Sequence, residues 1–79
     1  MSKIKALLEG FGFDDVVTHQ NDICFQVTAN YGGTEVLIQD IFDGLVYINI
    51  VSPKGRVTIT DECGNMLNIF NTIVGIVCE

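Results

Sequence analysis

The dipeptide Asp43-Gly44 sits between two runs rich in β-branched and aromatic residues, Thr34 to Phe42 and Leu45 to Val51. Glycine takes the positive φ that a tight hairpin turn demands, and aspartate tolerates it. This spacing therefore predicts two antiparallel strands joined by a two-residue turn. Upstream, apolar residues alternate at Ile23, Phe25, Val27 and Ala29, the period of a strand. Asn30-Tyr31-Gly32-Gly33 then turns the chain into Thr34, and Ser52-Pro53-Lys54-Gly55 turns it again into Arg56 to Thr60. With a weaker run from Phe13 to His19, the expectation is a four- to five-stranded antiparallel β-meander.

Helical spacing brackets these strands. Ile4, Leu7, Leu8 and Phe11 form an apolar stripe behind Ser2, a suitable N-cap, and Gly10 is the expected stop, which predicts a short helix over Lys3 to Glu9. After Thr60 the apolar positions Cys63, Met66, Leu67, Phe70, Ile73, Val74 and Val77 recur at helical intervals. They predict a C-terminal helix capped by Thr60, with Asp61 and Glu62 in its first turn. The β-branched Ile73, Val74, Ile76 and Val77 around Gly75 leave a strand as the alternative for that segment. The fold class is thus α+β, one compact domain over residues 1–79.

A two-residue Asp43-Gly44 loop pairs Asp40 with Tyr47 and Ile38 with Asn49, and a four-residue loop at Asn30 to Gly33 pairs Val27 with Val36. These registers put Ile23, Phe25, Val27, Val36, Ile38, Phe42, Leu45, Tyr47 and Val51 on one face. Leu37, Ile41, Val46, Ile48, Ile50, Val57 and Ile59 fall on the other. Both faces read as apolar, so part of the sheet is expected to be left for a partner, a second copy of the chain included.

Hydrophobic residues make up 48% of the chain and charged ones 18%, which rules out a disordered tail. The formal charge is −6 and the only basic residues are Lys3, Lys5, Lys54 and Arg56. No basic stripe exists for phosphates or an anionic membrane, so direct nucleic-acid and membrane binding are not expected, and a partner with a basic surface is. Cys24, Cys63 and Cys78 show no C-x-x-C spacing, and the apolar run near the N-terminus is short and broken by Glu9. A cytoplasmic chain with reduced thiols is the expectation.

No chemistry-bearing constellation emerges. The single histidine, His19, is expected at the surface beside a turn, and it forms no zinc set with the scattered cysteines. Asp14-Asp15 and Asp61-Glu62 read as solvated charge, because adjacent residues on a strand point to opposite faces. Gly10-Phe11-Gly12-Phe13 follows a helix and lacks lysine, unlike a phosphate loop. The expectation is no enzyme, no metal and no cofactor.

What remains is contact. Tyr31, beside Gly32 and Gly33, is the candidate anchor, and Asp22, Glu35, Asp40 and Asp43 are the acids on or near the same hairpins. The order helix, meander, helix is similar to that of small secretion-chaperone-like domains, and that resemblance, one of architecture alone, implies dimerisation. The small acidic profile is similar to proteins that phages make to block bacterial defence, anti-CRISPR proteins among them. It implies an inhibitor occupying a basic, nucleic-acid-facing site on a host protein. The alternative is a dimeric adaptor or chaperone-like domain using an apolar sheet face.

Overall fold

The chain forms a helix, a five-stranded antiparallel meander and a second helix in a computed structural model that describes residues 2–20, 25–41 and 44–78. Helix α1 spans Ser2–Phe11, strands β1 to β5 span Asp14–Gln20, Phe25–Tyr31, Thr34–Asp40, Leu45–Ser52 and Gly55–Glu62, and α2 spans Met66–Val77. Strand order in the sheet equals order in the sequence. The expected α+β architecture is the observed one, and residues 66–77 are helix.

Helix α1 runs past its expected stop at Gly10, because Gly12 provides the left-handed turn at φ 118°. The Gly12 N–H bonds the Glu9 carbonyl and the Phe13 N–H bonds the Leu8 carbonyl. This pair of bonds satisfies the last free carbonyls of a helix, and an apolar contact usually accompanies it. Leu8 and Phe13 are both in the core.

At the other helix, Thr60 does not serve as the cap, since β5 continues to Glu62. Asp61 ties the connection together instead. Its Oδ1 accepts from the Glu62 N–H at 2.7 Å and from Asn65 Nδ2 at 3.3 Å, and its Oδ2 accepts from Asn68 Nδ2 at 2.9 Å. These bonds, the backbone one foremost, hold the Asp61 carboxyl below the usual carboxylate range.

The registers differ from the sequence expectation at both glycine turns. Gly32 and Gly33, at φ 52° and 86°, make a two-residue turn that pairs Tyr31 with Thr34 and Val27 with Ile38. That is a shift by two residues, and it leaves the faces unchanged. At the next turn the Ile41 N–H bonds the Leu45 carbonyl at 3.0 Å. The connection is thus one residue longer than an Asp43-Gly44 turn, and Ile38 pairs with Ile48. A slip of one residue moves every side chain of a strand to the other face. Val46, Ile48 and Ile50 therefore join Val27, Ala29, Val36 and Ile38 in the core, while Leu45, Tyr47 and Val51 lie on the opposite face.

One face of the sheet is consequently apolar throughout, and both helices cover it. Ile4 and Leu8 of α1 and Ile69 and Ile73 of α2 are fully buried against it. At one end of this layer Phe11 and Phe13 pack on Tyr31, with ring centroids 5.5 Å and 5.1 Å away, and Phe70 meets Phe11 edge-on. Among the described residues no helix is long and apolar enough to cross a membrane.

Candidate functional site

The other face of the sheet has no element packed on it among the described residues. Register places its residues in rows across the strands. Asn30, Glu35, Val51 and Arg56 form one, Thr28, Leu37, Asn49 and Thr58 the next, and Gln26, Gln39, Tyr47 and Thr60 a third. Val17 and His19 of β1 extend the second and third rows, opposite Thr28 and Gln26. The centre of this face carries no charge. Glu35, Arg56, His19 and Glu62 stand around it.

Within the face is a concavity of about 440 Å³, with Leu37 and Val51 among its apolar lining and the amides of Gln26, Asn30 and Asn49 and the Glu35 carboxylate around them. Leu37, Tyr47 and Val51 are half-buried with no layer above them, since side chains paired across neighbouring strands cover part of one another. Asn49 Oδ1 accepts from Thr58 Oγ1 at 3.3 Å across the β4–β5 pair. A concavity of mixed apolar and hydrogen-bonding lining suits a partner's side chain or backbone.

The sequence-derived candidates do not gather at one place. The Tyr31 ring lies half-buried against Phe11 and Phe13, so it closes the aromatic end of the core and does not project from a turn. Asp40 Oδ1 accepts from the Phe25 N–H at 2.8 Å, which caps the start of β2. Glu35 is exposed on the open face near the opposite end of β3, about 17 Å from Asp40 at the rise of a strand. Asp22 and Asp43 lie outside the described residues.

Comparison with models of known protein families, with curated proteins and with solved structures finds no match. The site therefore rests on its own geometry. His19 is exposed on β1, Cys63 lies between β5 and α2, and Cys78 follows α2. Among the described residues no three of His, Cys, Asp and Glu come together as a metal site. Sequence reasoning set Leu37 and Tyr47 on opposite apolar faces and passed over Asn49, whereas the observed register puts all three on the open face. Their signal was present as the polar alternation of Gln26, Thr28 and Asn30, which marks the side of β2 that faces away from a core.

Proposed function

We propose that this protein is a non-enzymatic protein-binding module whose contact surface is the open face of its sheet. The observation that carries this reading is the layout of that face. An uncharged centre holds Tyr47, Leu37 and Val51, and charged residues stand only at its margin. Protein interfaces are built in this way, with charge depleted from the buried centre, tyrosine enriched there and a polar rim excluding water. Cys63 and Cys78 are free thiols, in keeping with action in the reducing cytoplasm.

A second reading is an acidic inhibitor that occupies a basic, nucleic-acid-facing surface of a host protein. It is favoured by Asp40 of β3 and Asp61 of β5, which share a row across Val46 of β4 at one end of the sheet, with Glu62 next to Asp61. Lys54 and Arg56 lie at the other end.

Affinity capture from bacterial lysate at low and high salt separates the two. Wild-type protein is expected to retain its partner at high salt, and Leu37→Asp and Tyr47→Asp to lose it while keeping the wild-type circular dichroism. A partner that is stripped by salt and unaffected by both substitutions overturns the open-face reading in favour of the acidic one.

A further inference from the structure

The two edge strands of the sheet are built differently. Edge β1 begins with the exposed acids Asp14 and Asp15, and Asp15 takes φ 52° at a register shift between Asp14 and Val17. A bulge with charge beside it is how an edge resists pairing with another chain. Edge β5 has neither device in its middle. It pairs with β4 without interruption from Ser52↔Gly55 to Leu45↔Glu62, and Val57, Thr58, Ile59 and Thr60 are uncharged and β-branched.

Hydrogen-bond phase shows what that edge offers. The Cys63 N–H bonds the Gly44 carbonyl at 2.6 Å, on the β4 side. Backbone groups alternate in direction along a strand, so Asp61, Ile59 and Val57 also face β4. Arg56, Thr58 and Thr60 then direct their N–H and C=O groups outward, whereas the Glu62 N–H is held by Asp61 Oδ1 and its C=O by the Asn65 N–H. All four side chains are exposed on the open face of the sheet.

We propose that β5 pairs antiparallel with β5 of a second copy of this chain, about a two-fold axis at Ile59. This register sets Arg56 opposite Glu62 of the second copy and Thr58 opposite its Thr60, and joins the two sheets into one. The charges single out the occupant. Arg56 and Glu62 stand equally far from Ile59 on the same face of the strand (59 − 56 = 62 − 59), so a two-fold brings unlike charges together twice. Pairing about Ile59 also uses the outward backbone groups of Thr58 and Thr60 in both copies. Val57 belongs to the helix-covered face, yet it is 40% exposed beside a cavity of about 380 Å³ lined by Ile50, Ile76 and Val77. In the dimer the same register sets it opposite Asp61 of the second copy.

The dimer goes beyond the open-face reading and does not depend on it, since joining the sheets leaves both open faces uncovered on the same side. Sedimentation velocity on the full chain tests it. The expected species is twice the 8.7 kDa chain mass. Thr58→Pro removes an outward N–H and none that faces β4, so it is expected to give a folded monomer. Arg56→Glu is expected to raise the dimer dissociation constant about tenfold by setting like charges opposite each other, and Arg56→Glu with Glu62→Arg to restore it. A wild-type chain that stays monomeric at high micromolar concentration overturns the proposal. So does a dimer that survives Thr58→Pro and is abolished by Tyr47→Asp, which places the contact on the open face.

Discussion

Neighbouring residues on β4 live in different worlds. Ile48 is fully buried beneath both helices, whereas Tyr47, one position earlier, faces outward among Gln39, Thr60 and Asn49. The covered face is uniform in chemistry and closed by α1 and α2. Its opposite is mixed, amide-rich and open. A sheet that buries one side can spend the other on recognition, and the contrast teaches where stability and binding should separate.

The largest test of that contrast is the pair Ile48→Ala and Tyr47→Ala, compared by denaturant unfolding. Ile48→Ala removes a buried side chain beneath the helices and is expected to cost about 2–5 kcal/mol. Tyr47→Ala is expected to cost about 1 kcal/mol or less, since its ring already meets water on the open face. Equal costs would mean that something covers the open face in solution.

A smaller effect is expected at Asp40, where the covered face ends. Asp40→Ala leaves the Phe25 N–H without its acceptor and should destabilise the protein by about 1–2 kcal/mol. Asp40→Asn keeps an acceptor oxygen and should be milder. If the two cost the same, the cap on β2 contributes nothing.

The least effect concerns pH. The Asp61 carboxyl is held below its ordinary value by the Glu62 backbone bond and by Asn68 and Asn65. A depressed carboxyl contributes stability in full above its unfolded value of about 3.9, and that contribution is lost as pH falls through the lower folded value. Asp61→Asn should therefore narrow the stability difference between neutral pH and pH 3. An unchanged acid profile in the variant would show that these bonds do not favour the ionised form.

How far the fold was legible follows from local chemistry. The alternation through Val27 and Ala29, the glycine turns and the 3.6-residue stripe of Met66, Phe70, Ile73 and Val77 all act within a few residues, and they gave the element order. Register is set by turn length, and one residue in the β3–β4 connection decided whether Tyr47 or Ile48 entered the core. No composition argument weighs that residue. The candidate site suffered accordingly. Tyr31 reads as exposed beside two glycines, but the aromatic residues that shelter it, Phe11 and Phe13, arrive from the helix end across β1. Asp40 and Asp61 read as surface charge, and both turn out to be hydrogen-bond acceptors for backbone at the ends of elements.

The matching of strand order to sequence order has a kinetic consequence. Each strand finds its partner across a short loop, so the sheet can assemble hairpin by hairpin with little entropy lost at each closure. The two helices come from opposite ends of the chain and meet each other only when that sheet exists to receive them. Docking of α1 is thus expected to follow the rate-limiting barrier. Ile48→Ala should slow folding, whereas Leu8→Ala should mainly speed unfolding, a division that stopped-flow measurements of both limbs would reveal.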